Sequence, residues 1–165
     1  MLRRKAPLSY ENALLRAATL CSRCEQCSPD IIKKLSAWGL SSSDSDKVIE
    51  RLTELNFLND ERFVKAYAHD KLCFSGWGRK KIQQGLWAKR LPKELIELSF
   101  DEIDDEEYTD IACQVIRAKA KSYKEWPLSR ENKIKLIRYA MMRGFEYPLI
   151  ADIIRNRLHS ISDNI

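Results

Sequence analysis

A turn-plus-helix signature that recurs three times restricts this chain to a repeat architecture. In each copy an apolar-periodic helix ends in a basic or glycine-containing turn, and a large apolar residue and a second short helix follow. The copies occupy residues 33–40, 84–91 and 138–145. The matched turn positions lie roughly 50 residues apart, which is typical of one supersecondary unit repeated along a chain. These positions are Gly39, Arg90 and Gly144.

The apolar residues after each turn strengthen the match. Residues 95–96 and 149–150 are apolar pairs at the same offset from the second and third turns, whereas the corresponding pair at 48–49 comes a few residues later. We therefore expect a longer loop in the first repeat, within residues 41–46. Chance similarity between unrelated helices is the alternative, but three copies with matched offsets favour true repeats. Such a chain builds an elongated surface rather than an enzyme pocket.

Composition indicates an all-α protein. The 165 residues include only 5 Gly and 5 Pro, 32% are charged, and no apolar alternation is sustained. We predict tails at 1–9 and 160–165 and helical repeats at 10–58, 59–103 and 104–159. No apolar run approaches the roughly 18 residues of a membrane span, and no apolar segment follows the basic residues at the N-terminus. We expect a cytoplasmic monomer that does not enter the membrane.

The charges are segregated along the chain although the net charge is only +5. Residues 71–93 carry seven basic side chains and no acid, residues 97–110 carry eight acids and no base, and residues 117–143 carry nine basic side chains and two acids. Two basic blocks around an acidic one indicate a cationic face for a nucleic acid or an acidic protein groove. Ordinary solvated helix faces are the alternative.

Cationic residues at the start of a predicted helix are a further indication of an anionic ligand. Arg79, Lys80 and Lys81 begin this helix, where they oppose the helix dipole at a cost of a few tenths of a kcal/mol each. Lys135 and Arg138 lie three residues apart on the predicted outer side of a later helix. The candidate contact residues are therefore Lys71, Arg79, Lys80, Lys81, Lys89, Arg90, Lys135, Arg138 and Arg143.

The cysteines indicate neither a disulfide framework nor a metal centre. The chain has 5 Cys, an odd number, and His69 and His159 are isolated from the cluster at 21–27 and from each other. Cys21, Cys24 and Cys27 are spaced by three, but a structural zinc site needs four ligands and no second pair completes one. We expect them on one buried helical side, with no metal and no cofactor bound.

Local patterns predict several helix ends and buried faces. Ser28 with Pro29 is a typical helix start, with the serine as N-cap. The first helix is predicted to turn Leu15 inward. Ile134 and Met141 are predicted to face inward from the helix that ends at Gly144.

Three motifs carry a resemblance to a known family. The run at 58–63, followed by Tyr67, has a Leu, an Asp and an Arg-Phe pair before a Tyr-bearing helix. A glycine-aromatic-glycine segment at 76–78 opens the central helix. An Arg-Gly-Phe turn stands at 143–145. In these features the chain resembles the RecX regulators of the RecA recombinase, over roughly residues 10 to 158. The motif residues are Asp60, Arg62, Phe63, Tyr67, Gly76, Trp77, Gly78, Gly144 and Phe145.

The resemblance implies a curved, all-α protein of three tandem three-helix repeats that lies in the groove of a RecA filament on single-stranded DNA. It implies inhibition of RecA's ATPase, of filament extension and of strand exchange, without catalysis by this chain. Arg90 stands where the family usually has glycine, Gly85 where it has a helix former, and Arg79 where proline is common. The left-handed turn at Arg90 should therefore either cost about 1 kcal/mol or be replaced by another turn.

Two further functions remain open from the residues alone. One is a direct nucleic-acid-binding module, for single- or double-stranded DNA, with a turn-helix unit in a groove. The other is a cysteine-dependent metal or redox sensor. An enzyme is disfavoured because the sequence has no phosphate-cradling loop, no zinc-hydrolase motif and no histidine beside a candidate nucleophile. Trp77 is as consistent with a core anchor as with a partner contact. Asp60 and Arg62 are likewise as consistent with a helix cap and an inter-repeat ion pair as with partner contacts.

Overall fold

The computed structural model describes residues 6–158, which contain helices and no strand. Each predicted repeat contains three of these helices, so the predicted all-α fold of tandem three-helix repeats is confirmed. The last helix continues into a π-helical turn, Ile153–Arg157. The helices are α1 Tyr10–Arg23, α2 Ser28–Ala37, α3 Ser42–Glu54, α4 Asp60–Cys73, α5 Arg79–Ala88, α6 Lys93–Leu98, α7 Asp105–Lys121, α8 Arg130–Met142 and α9 Tyr147–Asp152.

The three matched turns share one backbone conformation. The φ angles of Gly39, Arg90 and Gly144 are +88°, +63° and +91°. A left-handed residue after the second helix is a common helix ending that satisfies free carbonyl groups. The turn is thus equivalent in all three repeats, and Arg90 adopts it despite its side chain.

Predicted repeat boundaries at 58/59 and 103/104 fall between α3 and α4 and between α6 and α7. As limits of independent folding units they stay a prediction.

Within the predicted N-terminal tail, Leu8 packs on repeat 1 and its N–H donates to Trp38 O at 3.0 Å. The predicted C-terminal tail and His159 lie outside the described residues. Across residues 6–158, every helix is too short or too polar to cross a membrane.

The longer loop expected in repeat 1 is wrong. Helix α3 begins at Ser42, and Ser41 Oγ accepts the N–H of Asp44 at 3.1 Å as its N-cap. The serine-rich segment is therefore the first turn of the helix. Ser9, Asn59 and Asp104 cap α1, α4 and α7 in the same manner, so each repeat begins with a side-chain cap.

Second helices of the first two repeats are capped by the following repeat. The predicted Ser28 cap is wrong: Cys27 holds that position without a side-chain hydrogen bond, and the N–H of Ser28 donates to Asp60 Oδ1 at 2.7 Å. In α5 the N–H of Lys80 donates to the carbonyl of Gly144 at 3.2 Å. By contrast, Ser129 caps α8 from within the third repeat, at 3.3 Å from the N–H of Asn132.

Two apolar clusters form the interior. One lies among α1, α2 and α3 and contains Ile31, Leu35 and Leu52. The other is shared by repeats 2 and 3, running from Phe63 in α4 to Ile153 after α9. Repeats 2 and 3 are therefore joined by a common core, whereas repeat 1 has its own.

Three predicted inward-facing residues are exposed instead. Leu15 is 68% exposed because Ala13 and Ala17 form the buried side of α1. Ile134 and Met141 are 42% and 48% exposed. The buried side of α8 consists of Leu136 and Ala140, spaced by four residues and offset from the predicted set.

The three N-terminal thiols do not share a helical side. Helix α1 ends at Arg23, before Cys24 and Cys27. Cys27 is fully buried against the core of repeats 2 and 3, whereas Cys24 is exposed and its Sγ accepts the amide of Gln26 at 2.9 Å. Burial raises the pKa of Cys27 to about 11. The metal prediction for these thiols is not tested by this arrangement.

Candidate functional site

Cations and aromatic rings alternate along the side of repeats 2 and 3. We call this set the cation–aromatic ribbon. It draws residues from α4, α5, α7, α8 and the segments that follow α4, α7 and α8. Its members are Lys71, Trp77, Lys81, Lys119, Tyr123, Lys135, Tyr139 and Arg143.

Trp77 forms the repeat 2 part of the ribbon. The ammonium groups of Lys71 and Lys81 lie 5.0 and 4.7 Å from its ring centroid. The ring is half-buried and packs on the shared core. Trp77 is thus both a core anchor and the aromatic centre of a two-lysine cluster, a geometry in which ring and cation attract one another.

The repeat 3 part begins at Arg143 and runs across α8 to α7. The Arg143 guanidinium lies 5.3 Å from the ring centroid of Tyr139. Lys119 stands between two rings, 5.5 Å from Tyr139 and 5.3 Å from Tyr123. Every member of this part is at least partly exposed. It therefore presents alternating charge and π-surface to solvent.

Lys135 extends this part of the ribbon. Its ammonium pairs with Glu131 at 2.6 Å. The hydrogen bond and charge of Glu131 raise the pKa of Lys135, and Tyr123 adds a smaller effect in the same direction. Both partners of this ion pair are exposed, so the pairing contributes little to stability and leaves the lysine accessible.

Close backbone contact joins the two parts. The N–H of Gly78 donates to the carbonyl of Arg143 at 2.7 Å, and a Cβ at Gly78 would collide with the carbonyl of Gly144. A Cβ at Gly144 would lie 2.5 Å from both N and Cβ of Lys81. Arg143 also donates to the carbonyl of Ser75 at 2.7 Å. The motif glycines thus bring Lys81 and Arg143 side by side across the repeat boundary.

The family models match this part of the chain. RecX, second three-helix domain, matches residues 59–98, and RecX, third three-helix domain, matches residues 105–154, which together exceed half of the chain. The chain belongs to the RecX family. The ribbon lies in these two RecX domains.

Individual relatives agree with the RecX assignment. Regulatory protein RecX of Yersinia enterocolitica is 29% identical over 153 residues, covering 80% of this chain and 89% of the relative. Its counterpart in Clostridium perfringens strain 13 is 27% identical over 90% of this chain and 68% of the relative. The chain spans 61% of the length of regulatory protein RecX of Finegoldia magna, with 26% identity.

A solved structure shows the same fold. The crystal structure of RecX from Lactobacillus salivarius superposes with a TM-score of 0.80 at 20% identity, covering 92% of this chain and 97% of that one. A second RecX crystal structure gives a TM-score of 0.77 at 18% identity, covering 90% and 72%.

Two of the RecX motif residues hold repeat 2 against repeat 1. Asp60 accepts the N–H of Ser28 at 2.7 Å, and the Arg62 Nε–H donates to Glu25 Oε1 at 2.5 Å. Arg62 also donates to the side chain of Asn56 at 3.0 Å. The inter-repeat ion pair considered for Arg62 is present, whereas Asp60 caps α2 of repeat 1 rather than its own helix, which Asn59 caps.

The remaining motif residues shape repeats 2 and 3. Phe63 and Phe145 are buried in the shared core. Tyr67 packs on Gly85, where a Cβ would collide with the Tyr67 hydroxyl. Gly85 therefore makes room for Tyr67, which accounts for a glycine inside α5. Gly76 has a φ of +60° and faces Val115 of α7.

Lys89 serves the junction between repeats 1 and 2. Its ammonium pairs with Asp30 at 2.5 Å and lies 5.4 Å from the ring centroid of Phe63. Burial alone would lower the pKa of Lys89, but the hydrogen bond and charge of Asp30 raise it. Lys89 thus has a structural role that its sequence position did not reveal.

Arg79 serves the junction between repeats 2 and 3. It pairs with Asp105 at 2.7 Å, and its guanidinium lies 4.1 Å from the ring centroid of Tyr108. The hydroxyl of Tyr108 accepts the backbone N–H of Arg79 and donates to Glu146 Oε2 at 2.8 Å. Burial raises the pKa of Tyr108, and Glu146 raises it further.

Cations at the start of α5 have a structural explanation besides a ligand. The carbonyl end of α8 lies on the first turn of α5, through the bonds to Gly78 and Lys80 described above. Cations are favourable at the negative C-terminal end of a helix dipole. Their cost to α5 is therefore offset by α8, and an anionic ligand is not needed to explain them. Lys80 itself is exposed, as are Arg90 and Arg138.

Three residues of the ribbon were missed from the sequence: Lys119, Tyr123 and Tyr139. A signal was present, because cation and tyrosine recur four residues apart at 119 and 123, 135 and 139, and 139 and 143. Residues four apart share a helix face. Alternation of basic residues and aromatic rings is suited to anionic partners with planar groups, above all single-stranded nucleic acid.

Proposed function

We propose that this chain binds the groove of RecA filaments on single-stranded DNA and inhibits RecA's ATPase, filament extension and strand exchange. It acts in the cytoplasm as a monomer and catalyses no reaction itself. Membership of the RecX family supports this proposal, since the relatives are named regulatory protein RecX. The observation that carries the binding mode is the cation–aromatic ribbon across repeats 2 and 3.

The ribbon is suited to a filament groove in three respects. Its cations are spread along two repeats rather than concentrated at one point, so they follow an extended anionic surface. Its rings offer stacking surface to exposed bases. Finally, its two parts are fixed to each other by backbone hydrogen bonds at Gly78 and Lys80, so the surface is preorganised and little entropy is lost on binding.

A charge-reversal variant tests this surface. Four ribbon cations, Lys71, Lys81, Lys119 and Lys135, are changed together to Glu, and inhibition of RecA's ATPase on single-stranded DNA is measured at low salt. We expect the concentration needed for half inhibition to rise at least about 100-fold, since charge reversal at an anionic groove costs several kcal/mol. Higher salt should weaken the unmodified protein in the same direction.

A matched control separates position from net charge. Arg23, Lys33, Lys47 and Arg51 are exposed cations of repeat 1, and changing all four to Glu alters the net charge by the same amount. This control should inhibit nearly as well as the parent. Equal inhibition by the ribbon variant and the parent, with both folded by circular dichroism, contradicts the proposal.

A second candidate function is direct binding of single-stranded DNA, which the partly exposed tyrosines of the ribbon favour. It is tested without RecA, by the fluorescence anisotropy of a labelled oligonucleotide. This function is favoured if the parent binds the oligonucleotide and does not inhibit RecA, and if the ribbon variant loses the binding to DNA. Inhibition of RecA without measurable binding to free DNA favours the filament.

A further inference from the structure

Outside the ribbon, three metal-ligating side chains meet where repeats 2 and 3 join. His69 and Cys73 lie one turn apart on α4, and Glu107 lies in the first turn of α7. One ligand atom from each lies within 4.8 Å of the other two. The imidazole Nε2 of His69 is 3.6 Å from the Sγ of Cys73. Among the described residues, this is the group of His, Cys and acidic side chains arranged closely enough to share one ion.

The sulfur–nitrogen separation fits a tetrahedral zinc ion. Zinc binds thiolate sulfur at about 2.3 Å and imidazole nitrogen at about 2.0–2.1 Å, so a tetrahedral angle places the two ligand atoms about 3.5 Å apart. His69 and Cys73 thus already have the separation that the ion requires. Glu107 is exposed on α7, and its carboxylate oxygen, within 4.8 Å of the other two ligand atoms, must move closer to bind the same ion.

A second carboxylate stands behind the histidine. Asp70 Oδ1 lies 3.7 Å from Nδ1 of His69, while Nε2 faces Cys73. Metal-bound histidines generally direct their other ring nitrogen to a carboxylate or carbonyl, which fixes the ring and strengthens the ligand. The 3.7 Å separation is longer than a hydrogen bond, so Asp70 must approach the ring to act in this way.

We propose that His69, Cys73 and Glu107 bind one Zn²⁺ ion, with water in the fourth position, as in open zinc sites with three protein ligands rather than closed structural sites with four. A nitrogen, sulfur and carboxylate donor set suits zinc, whereas calcium and magnesium prefer oxygen alone. Cys73 coordinates as the thiolate after its proton passes to solvent. The ion links α4 of repeat 2 to α7 of repeat 3. The proposal concerns a different site from Cys21, Cys24 and Cys27 and does not depend on binding to RecA.

Cobalt replaces zinc as the spectroscopic probe. The full chain, reduced and freed of metal with a chelator, is titrated with Co²⁺. We expect one equivalent to produce the visible bands of a tetrahedral ion and the ultraviolet band of thiolate-to-cobalt charge transfer, and Zn²⁺ to abolish both. Absence of the charge-transfer band at several equivalents of Co²⁺ overturns the proposal.

Single variants identify the ligands. Cys73→Ser should abolish the charge-transfer band, and His69→Gln and Glu107→Gln should weaken Co²⁺ binding by more than about 100-fold. Asp70→Asn should weaken it by about 10-fold, as an outer carboxylate does. Cys24→Ser and Glu106→Gln are matched controls, an exposed thiol and an exposed acid outside the site, and should bind as the parent does. A band that survives in Cys73→Ser, or is lost in Cys24→Ser, overturns the assignment.

Thermal unfolding gives an independent measurement. An ion shared by α4 and α7 binds the folded chain and not the unfolded one, so saturating Zn²⁺ should raise the unfolding midpoint of the parent. The rise should disappear in Glu107→Gln, which leaves both α4 ligands in place. Equal rises in the two proteins contradict the link between the repeats.

Discussion

The two junctions between repeats occupy equivalent places in the fold but are built from different groups. In both, the N-terminus of a second helix is capped by the following repeat. At the first junction the cap is a side chain, the carboxylate of Asp60, supported by the Lys89–Asp30 ion pair. At the second, the Tyr108 hydroxyl accepts the N–H of Arg79, and the backbone carbonyls of Arg143 and Gly144 add a contact that the first junction lacks, accepting the N–H groups of Gly78 and Lys80. A side-chain contact can be replaced or titrated, whereas the close backbone approach at the second junction requires glycine at positions 78 and 144.

Apolar packing is also more extensive at the second junction than at the first. Repeats 2 and 3 share one core, whereas repeat 1 encloses its own, and Cys27 is its fully buried contribution to the shared core. We therefore expect repeats 2 and 3 to unfold as one cooperative unit and repeat 1 to open at lower free energy. The cation–aromatic ribbon lies on the cooperative unit. Precise binding surfaces are best placed on rigid elements, which this arrangement provides.

The largest effect should come from Gly144→Ala at the second junction. The substitution places a Cβ against the backbone of Lys81 at a φ of +91°. Left-handed strain costs about 1–2 kcal/mol and overpacking about 1–3 kcal/mol, so we expect a loss of about 3–5 kcal/mol in urea unfolding.

Gly39→Ala is the matched control for this substitution. Its φ of +88° is nearly the same, and the new Cβ meets Pro7, 2.9 Å from its Cβ and 3.1 Å from its Cα. The strain of about 1–2 kcal/mol is common to both variants, and we expect a smaller loss than in Gly144→Ala because the approach to Lys81 N and Cβ there is 2.5 Å. Equal losses in the two variants contradict a special role for the backbone junction.

Alkaline pH should weaken the first junction. The Cys27 thiol has a pKa of about 11 in the folded chain because it is buried, against an ordinary value of 9.0. Between these values the folded state holds a proton that the unfolded state has lost, so the free energy of unfolding falls as pH rises. The loss is about 1.4 kcal/mol by pH 10 and approaches about 3 kcal/mol above pH 11.

Cys27→Ala isolates this effect from other alkaline groups. Burial also raises the pKa of Tyr108 and Cys113, which remain in the variant. Urea unfolding at intervals from pH 8 to pH 10 should show a smaller pH dependence in Cys27→Ala than in the parent. Identical slopes would mean that the thiol is accessible in solution.

Asp60→Ala should have a smaller effect, local to α2. It removes the cap on Ser28, for which we expect a loss of about 1 kcal/mol, and a first-turn acid of α4, worth a further 0.3–1 kcal/mol or so. Glu61→Ala removes a neighbouring first-turn acid and no cap. Hydrogen exchange should show faster exchange of the Ser28 amide in Asp60→Ala only. Unchanged exchange there contradicts capping between repeats.

The repeats and their turns could be predicted from the sequence because their determinants are local. Alignment of Arg90 with Gly39 and Gly144 predicts a left-handed residue, and its φ of +63° confirms it. The start of α3 was missed although its signature, Ser41 with Asp44 three residues later, was present. A run of serines is equally consistent with a loop, and only the cap decides between the two.

Contacts between repeats could not be predicted in the same way. Asp60 reads as a helix start of its own repeat, and the Ser28 amide that it accepts is 32 residues away. Lys89 reads as a free surface cation, whereas its partner Asp30 is 59 residues away. The ribbon likewise depends on how α5 meets α8. Sequence patterns predict candidate surface cations, but the docking of repeats decides which of them are already paired.

The smallest expected effect is a gain from Arg90→Gly. The exposed Arg90 holds its left-handed conformation at a cost of about 1–2 kcal/mol, which glycine avoids. The glycine variant has a more flexible unfolded chain, which reduces this gain by about 0.4–1 kcal/mol. We expect about 0.5–1 kcal/mol of added stability in urea unfolding. Arg90→Lys, which keeps the charge and the strain, should match the parent. If Arg90 contacts the filament, Arg90→Gly will be more stable and inhibit RecA less well, whereas Arg90→Lys will inhibit normally. A glycine variant that is less stable than the parent contradicts the strain itself.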